Sequence, residues 1–301
     1  AKAAETDVKT LTVRAIDDAS GNPLEGAEVS FQHFVEGGKD VKGKLATSAD
    51  GTAKVHYPGG AKIRFFTFTI RKPGYVPVHV NWSSSRRPIV VPEAKEMRLA
   101  HARSLEGVVV DEADKPVEGA SVEVSMPSTE SNSANHYFTV ATVKTDAQGR
   151  WRIEEAPVNL SHVYIQVGHP GYRRPQGENA STAKDRKTVL MKGATVRGRV
   201  VGPDGQPVAG AGVVLGDNIW GSQPPKANTD ADGAFVLRNA GPGASSVTVQ
   251  AKGFAPPVVS VVGADGEETP PVAVALVSGV VLRGRVVDRD GKPLAGVSVS
   301  A

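Results

Sequence analysis

The sequence of 301 residues contains no cysteine and few aromatic residues, which make up only 5% of it. Without cysteine, the chain has no disulfide framework, no thiolate metal site and no cysteine nucleophile. With so few aromatic rings, valine, alanine, leucine and isoleucine must supply most of the hydrophobic core. No window approaches the roughly 18 uninterrupted apolar residues of a membrane span, so we expect no such span.

The charge of the chain is nearly balanced. The sequence has 35 Lys and Arg against 32 Asp and Glu, which leaves a net charge of +3 at pH 7. So small a charge, spread along the chain, is not typical of nucleic-acid binding, and we expect no nucleic-acid partner. Residues 1–6 lack the apolar segment of a signal peptide. This segment therefore does not distinguish the mature form of an exported protein from a cytosolic protein.

One short phrase occurs four times in the chain. Each copy has a polar turn, a proline, an apolar residue, a small or acidic residue and a glycine, followed by a strand-like run. Successive prolines lie 93, 91 and 86 residues apart. Such a period fits a small domain, because the repeats of a solenoid run roughly 20–45 residues. The copies are Gly21–Ala27, Asp114–Ala120, Gly205–Ala211 and Gly291–Val297.

The third repeat shows how the phrase is embedded in strands. Val196–Val201 alternates apolar and polar residues with a period of two, which is typical of a half-buried strand. Glycine and proline in Pro203–Pro207 favour a turn. Ala211–Leu215 is predicted as the next strand. A second turn at Thr229–Gly233 leads into the alternating strand Ala234–Leu237.

The same turns and strand-like segments recur in the same order in the other repeats, and no segment has a convincing helical pattern. We therefore predict an all-β protein of tandem antiparallel β-sandwich domains, transthyretin-like or Ig-like, in a rod-like arrangement. About five residues separate successive domains, and so short a joint restricts bending. The predicted domains are residues 10–101, 102–193 and 194–279, followed by an incomplete fourth repeat at 280–301 that has only the first two strands.

The repeated order resembles the carboxypeptidase regulatory-like domain. The motifs that carry the resemblance are Gly-x-Val-x-Asp, Gly-x-Pro-Val-x-Gly-Ala-x-Val, Thr-Asp-x-x-Gly-x-Phe and a later Gly-Tyr step. The resemblance implies a sandwich of about seven strands, an extracellular or cell-envelope location, a role as stalk, spacer or adhesive module, and no catalytic residues. The first repeat departs from the pattern, because Thr12-Val13-Arg14 stands where later repeats carry Gly107, Gly198 or Gly284.

Candidate binding residues lie in the connection after the second strand of each repeat. These connections differ most between repeats, and recognition usually resides in variable loops on a constant scaffold. Aromatic rings there suit stacking on sugar rings or anchoring a protein partner. In the alternative interpretation, each ring folds back onto its own sandwich. The candidates are Phe34, His136, Tyr137 and Trp220.

Two Asp-x-Asp-Gly turns raise the possibility of calcium binding through Asp230 and Asp232 and through Asp288 and Asp290. A helix–loop–helix calcium site needs a glutamate six residues after the glycine, whereas the chain has Asn239 and Val297 at about those places. Aspartate and glycine are also the residues that tight turns prefer. We interpret the four aspartates as turn residues, with calcium ligation as the alternative, and expect no cofactor.

No catalytic motif is apparent. The seven histidines are scattered without a zinc-ligand spacing, and neither a Gly-x-Ser-x-Gly elbow nor a phosphate-binding glycine loop is present. Trp151 and Phe235 occupy the same strand position in two repeats, so we predict that both are core residues. The aromatic residue after each glycine turn, such as Tyr75, is predicted to plug the end of its sandwich.

Three functions remain open. The leading hypothesis is a non-enzymatic structural protein of the cell surface or extracellular space, which acts as stalk, spacer or filament subunit. The second is an array of binding modules for glycans or proteins. The third is an accessory region of a secreted hydrolase. Two strands alone leave an apolar face uncovered, so the fourth repeat either belongs to a longer repeat protein or is completed by another subunit.

Overall fold

A computed structural model describes residues 8–59, 62–84, 89–133, 136–173, 175, 178–180, 186–216, 225–280 and 283–298. Strands and turns dominate these residues, and they contain no α-helix. Accordingly, the described part of the chain has no helix long and apolar enough to cross a membrane. The predicted all-β class is confirmed.

The first sandwich packs a three-stranded sheet, β4-β1-β7, against a sheet of order β6-β5-β2-β3. Its core contains the fully buried side chains of Leu11, Val29, Phe66 and Leu99. Apolar residues alternate along the strands, so each sheet presents one face to this core. The strands are β1 Val8–Asp17, β2 Glu28–Val35, β3 Asp40–Ala46, β4 Thr52–Pro58, β5 Ile63–Arg71, β6 Val78–Ser83 and β7 Ala94–Leu99.

The second sandwich repeats this plan with sheets β12-β8-β15 and β11-β9-β13-β14. Trp151 of β12 is 3% exposed, which confirms that it belongs to the core. The strands are β8 Arg103–Asp111, β9 Ser121–Pro127, β10 Glu130–Ser131, β11 Tyr137–Lys144, β12 Arg150–Ala156, β13 Tyr164–Gly168, β14 Glu178–Asn179 and β15 Lys187–Leu190.

The third sandwich has sheets β19-β16-β23 and β18-β17-β20-β22, with a small pair β21-β24. Phe235 of β19 is also 3% exposed, as predicted for a core residue. The strands are β16 Ala194–Val201, β17 Gly212–Leu215, β18 Lys226–Asn228, β19 Ala234–Ala240, β20 Gly243–Gln250, β21 Phe254–Ala255, β22 Val258–Gly263, β23 Val272–Ala275 and β24 Val277–Ser278.

In every sandwich the first strand is central in its sheet. Strand β1 pairs antiparallel with β4 and parallel with β7, and β8 and β16 have the corresponding neighbours. The repeated phrase follows this strand, and its proline forms an isolated bridge back to it, as Val201 does with Pro207. The phrase therefore turns the chain from one sheet to the other.

In each sandwich, a buried threonine at the start of the later glycine-containing turn forms hydrogen bonds to the repeated phrase. The Thr229 hydroxyl donates to the carbonyl oxygen of Val208 at 2.6 Å and accepts the N–H of Ala211 at 2.8 Å. These bonds satisfy backbone groups that would otherwise be buried without partners. The same two bonds join Thr47 to Leu24 and Ala27, and Thr145 to Val117 and Ala120.

The glycine that ends this turn lies close to the first strand of its sandwich. Gly233 has a φ of +71°, and a Cβ atom there would lie 2.4 Å from the carbonyl oxygen of Val200. Positive φ and lack of space both require glycine here. Gly51 and Gly149 occupy the same place in the other sandwiches, with φ of +78° and +71°.

The fourth repeat forms its turn without its strands in the described residues 283–298. Asp288 accepts backbone hydrogen bonds as its counterparts do, and Val287 bridges Pro293. Leu294 and Val297 are nevertheless 47% and 48% exposed. The described residues 283–298 contain no strand. Val281, Leu282, Val299 and Ser300 lie outside the described residues.

The chain divides into two compact units. One is Ala1–Pro170 with Arg174–Met191, and the other is Gly171–Arg173 with Lys192–Ala301. The predicted boundary at residues 101 and 102 falls inside the first unit, which contains two sandwiches. The domain boundaries themselves remain predictions.

Candidate functional site

The most extensive polar and aromatic cluster of the first unit lies where its two sandwiches meet. We call it the joint and define it as β6 with Arg71 and Lys95 of the first sandwich, together with residues 128–133, 136–139 and Glu155 of the second. Strand β10 of the second sandwich pairs in parallel with β6, with Glu130 opposite Val80 and Ser131 opposite Asn81. The two sandwiches therefore share a five-stranded sheet, β10-β6-β5-β2-β3.

Glu130 connects β10 to both sheets of the first sandwich. Its Oε1 accepts the indole N–H of Trp82 on β6 at 2.8 Å, and its Oε2 pairs with the ammonium group of Lys95 on β7. Burial raises the pKa of the Glu130 carboxyl, but the bonds from Lys95 and Trp82 outweigh it and lower that pKa below its usual value. The carboxylate is therefore charged at neutral pH.

Asn132 continues the strand pairing with its side chain. Its Oδ1 accepts the backbone N–H of Ser83 at 2.7 Å, and its Nδ2 donates to the carbonyl oxygen of Ser83 at 2.7 Å. Its backbone N–H donates to the carbonyl oxygen of Asn81 at 3.3 Å. An amide that satisfies both groups of one residue imitates a strand neighbour, and it extends the pairing along this edge of β6.

His79 of β6 forms the aromatic part of the joint. Its ring stacks on Phe138 at a centroid distance of 4.8 Å and on His136 at 5.6 Å. Burial lowers the pKa of His79 to about 4, aided by the charges of His136 and Arg71. Burial also lowers the pKa of His136. At neutral pH both imidazoles are therefore uncharged.

A second ion pair closes the joint on the side of β5. The Arg71 guanidinium donates to Glu155 Oε2 at 2.7 Å and to the carbonyl oxygen of Thr139 at 3.1 Å. Both charged side chains are about 30% exposed, so water screens them less than it screens a fully exposed pair. The joint thus combines backbone pairing, two ion pairs and stacked rings, an arrangement suited to holding two domains in one orientation.

The aromatic residues predicted to bind ligands are not brought together by the structure. Phe34 belongs to β2 rather than to a loop, because the β2–β3 hairpin extends past it, and its ring stacks on Phe65 at 6.0 Å. His136 packs in the joint. Tyr137 opens β11 and meets Tyr164 edge to face at 5.3 Å. Trp220 lies outside the described residues.

The candidate calcium ligands are engaged in their own turns. Asp230 Oδ1 accepts the N–H groups of Asp232 and Ala234 at 3.0 and 2.8 Å. Asp288 does the same with Asp290 and Lys292, both at 2.9 Å. Across the described residues, no group of three acidic, histidine or cysteine side chains is placed to hold a metal ion. The pattern of contacts is that of Asx turns.

One cluster in the first sandwich contains the residue types of a catalytic site. Asp17 accepts the Tyr75 hydroxyl at 2.8 Å and approaches His101 Nε2 to 3.0 Å. The Ser20 hydroxyl also donates to Asp17, at 3.0 Å, whereas a nucleophilic serine must donate to the histidine. Tyr75 packs against the core from the end of the sandwich, in agreement with its predicted role. We interpret the cluster as an end cap.

Sequence reasoning missed most of the joint. Of its residues it named only His136 and Tyr137, and as ligand-binding candidates. Trp82, Lys95, Glu130 and Asn132 belong to no repeated motif. The only signal was the polar connection after β9, which differs from those of the other repeats.

Comparison with known sequences and structures places these observations in a family. A comparison with curated proteins found no match. The chain is similar to the Streptococcal ancillary pilin, at 11% identity and a TM-score of 0.33, covering 91% of this chain and 99% of that one. It is also similar to GBS52, the minor pilin of Streptococcus agalactiae, at 13% identity and a TM-score of 0.32, covering 62% and 100%. At these TM-scores the similarities carry no functional conclusion.

The sequence comparison is more specific. The carboxypeptidase regulatory-like domain matches residues 104–191 and, in tandem, residues 195–277. These two ranges correspond to the second and third sandwiches and amount to more than half of the chain. The chain therefore belongs to the carboxypeptidase regulatory-like domain family.

Proposed function

We propose that this chain is a non-enzymatic structural protein of the cell surface or extracellular space, in which tandem sandwiches act as a stalk or spacer. The joint carries this proposal. A spacer must keep its domains at a fixed separation, and a sheet shared between two domains restricts both bending and twisting. A flexible Gly/Ser-rich linker would leave both motions free.

The connection between the two sandwiches supports the same conclusion. Strand β7 ends at Leu99 and β8 begins at Arg103. Within this short connection, the Ala100 carbonyl oxygen accepts the N–H of Val76 at 2.9 Å, and the Ala102 N–H donates to the Gly74 carbonyl oxygen at 2.8 Å. The second sandwich is therefore attached to the first at two places, by this connection and by β10.

The distance between the sandwiches tests the proposal. Because the chain has no cysteine, spin labels can be placed at Val41→Cys and Val158→Cys, whose native side chains are 42% and 74% exposed. The pair Val158→Cys and Val189→Cys, both within the second sandwich, is the control. We expect the first pair to give a distance distribution as narrow as the control at pH 7.5. A clearly broader distribution would contradict a spacer role.

The exposed side chains of the fourth repeat support a further part of the proposal. Val286, Leu294 and Val297 are 38–48% exposed, while Val200 and Ala211, at corresponding places in the third repeat, are buried. We propose that another β-sheet covers this segment, supplied by further chain or by a neighbouring protein subunit. Concentration-dependent polymers that disappear on deleting residues 281–301 would assign the cover to a neighbour. A strictly monomeric chain would contradict that assignment.

A second candidate function is binding of a glycan or a protein through exposed aromatic rings. The observation that favours it is the Tyr137–Tyr164 pair, whose side chains are 37% and 39% exposed on the second sandwich. Exposed aromatic rings with hydroxyl groups suit both ligand types. Glycan-array binding that is lost in Tyr137→Ala or Trp220→Ala would support this function over a pure spacer. Unchanged array signals would exclude these two residues as the anchors.

A further inference from the structure

Hydrogen bonds with two threonines of β5 hold the His79 imidazole in one neutral tautomer. The Thr67 hydroxyl donates to the Val80 carbonyl oxygen at 2.8 Å, so toward His79 Nε2, 3.2 Å away, it acts as acceptor. Nε2 therefore carries the proton. Nδ1 then accepts from the Thr69 hydroxyl at 2.8 Å. Both ring nitrogens are satisfied without a positive charge, and no carboxylate among the described residues is bonded to the ring.

The charged and titratable groups around His79 oppose its protonation. His136 of β11 stacks on it, and Arg71 of β5 contributes an unfavourable positive charge. Glu155 of β12 faces this site but is bonded to Arg71, and Glu130 of β10 is bonded to Lys95 and Trp82. Lys42 and Lys44 of β3 line the same pocket as His79 and add positive charge. Thr129 and Phe138 also contact His79 and carry no charge. A proton on His79 thus gains no anionic partner in the closed joint.

We propose that the joint is an acid-sensitive hinge, in which protonation of the stacked His79 and His136 rings releases the second sandwich from the first. His79 is on the outer face of β6, opposite the core residues Val78 and Val80. The rings that stack on His79 at this outer face, His136 and Phe138, come from the second sandwich. Separation would therefore hydrate both imidazoles while it leaves the two cores intact.

The size of the effect follows from proton linkage. A histidine titrates near 6.5 once hydrated, whereas in the closed joint burial lowers the pKa of His79 to about 4. Between these values, each pH unit favours the open joint by up to about tenfold for each such group. At pH 4.5, His79 alone would shift the opening equilibrium by up to about 100-fold relative to neutral pH. This inference rests on the proposed rigid joint.

The spin-labelled full chain tests the hinge. With labels at Val41→Cys and Val158→Cys, we expect a narrow distance distribution at pH 7.5 and a broad one at pH 4.5. Hydrogen exchange at the core strands β1 and β9 should show continued protection at pH 4.5. Protection that disappears together with the narrow distribution would indicate unfolding of the sandwiches and would overturn the hinge.

Two variants identify the groups responsible. His136→Phe keeps a stacked ring without a charge, and His79→Gln keeps two hydrogen-bonding ends without a titratable group. Each should retain the narrow distribution to lower pH than the parent chain. If the parent stays narrow at pH 4.5, or if both variants broaden at the same pH as the parent, the hinge is wrong. A distribution already broad at pH 7.5 would instead overturn the rigid joint and the spacer function.

Discussion

In the first sandwich, β1 places Val13 opposite Ala53 of β4, whereas in the third sandwich β16 places Gly198 opposite Phe235 of β19. The second sandwich resembles the third, with Gly107 opposite Trp151. A Cβ atom on Gly198 would lie 2.4 Å from the Phe235 ring, and one on Gly107 would lie 2.8 Å from the Trp151 ring. The larger side chain of the pair is therefore on the first strand in the first sandwich, and on the strand paired with it in the second and third sandwiches.

This exchange explains why the first repeat lacks the glycine of the family pattern. The glycine is needed for two reasons. An aromatic ring from the neighbouring strand fills the same layer of the core, and a Cβ atom on Gly198 would also lie 2.4 Å from the carbonyl oxygen of Val272 on β23. Since Ala53 leaves that layer open, Val13 fills it, and its side chain is 0% exposed. Close packing fixes the total volume of a layer but not which strand supplies it.

The largest loss of stability should come from removing the aromatic ring that fills this core layer in the third sandwich. Phe235→Ala removes a buried ring that has only a glycine opposite it, so we expect a loss of about 3–5 kcal/mol in the free energy of unfolding of that sandwich. Hydrogen exchange at the amides of β17 and β20 would measure the loss. Addition of Gly198→Val should not restore it, because a Cβ atom at position 198 would still lie 2.4 Å from the backbone carbonyl oxygen of Val272. A double variant as stable as the parent chain would contradict this account of the glycine.

A second difference between these sandwiches is the response to acid. His33 is buried in the first sandwich, stacked between Phe31 and Phe66, and neither of its ring nitrogens has a hydrogen-bond partner among the described residues. Burial lowers the pKa of His33, as it does that of His79. The third sandwich, residues 194–279, contains no histidine.

The sign of the pH dependence follows from these lowered pKa values. Below pH 6.5 the unfolded first sandwich binds more protons than the folded one, so its stability is complete above pH 6.5 and declines as the pH falls. The core residue His33 contributes a slope of up to about 1.4 kcal/mol per pH unit to this decline, whereas protonation of His79 is coupled to opening of the joint. Hydrogen exchange should show this decline in β1 and not in β16, and His33→Phe should reduce it. An equal decline in both sandwiches would contradict the assignment.

The buried threonines provide a smaller and more uniform effect. Thr229→Val keeps the shape of the side chain and leaves the N–H of Ala211 and the carbonyl oxygen of Val208 without their bonds, so we expect a loss of about 1–3 kcal/mol. Thr47→Val should cost the first sandwich a similar amount. Calorimetry of the two variants would compare them. Losses that differ widely would show that the turns are not equivalent.

The smallest change in stability should come from breaking the exposed ion pairs. Arg197 and Glu268 lie 2.7 Å apart in the third sandwich, with side chains about half exposed. Glu268→Gln should therefore change stability by less than about 1 kcal/mol. Glu130→Gln in the joint should have a larger effect, because it weakens the bond to Lys95 in a partly buried site. Equal effects on the thermal transition would mean that the joint contributes no more than a surface contact.

Repeat structure and strand alternation made the fold predictable from the sequence. The period of the phrase, its turn residues and the core positions of Trp151 and Phe235 were all derived from local patterns. Residues 283–298 of the fourth repeat form no strand, although Val281–Val287 alternates, because alternation says nothing about a covering sheet. The sequence places Phe34 in a loop although the turn signal Gly37-Gly38 begins only three residues later, and β2 extends to Val35.

The joint was not predictable from these patterns. Strand β10 has two residues, too few for alternation to be detected. Its contacts join residues about fifty positions apart, for example Trp82 to Glu130 and Ser83 to Asn132. The sequence around one residue of such a pair does not indicate which residue it will contact. A stiff connection is predicted from the short linker, whereas the contacts proposed to stiffen it are tertiary.

The amide protons that cross the joint test the central claim most directly. The backbone N–H of Ser83 donates to Asn132 Oδ1 at 2.7 Å, and that of His79 donates to Thr129 Oγ1 at 3.2 Å. Hydrogen exchange in the full chain at pH 7.5 should show both amides protected. The Ser83 amide should lose its protection in Asn132→Ala while core amides of β5 keep theirs. Exchange of both amides in the parent chain at the rate of an exposed loop would contradict a rigid joint.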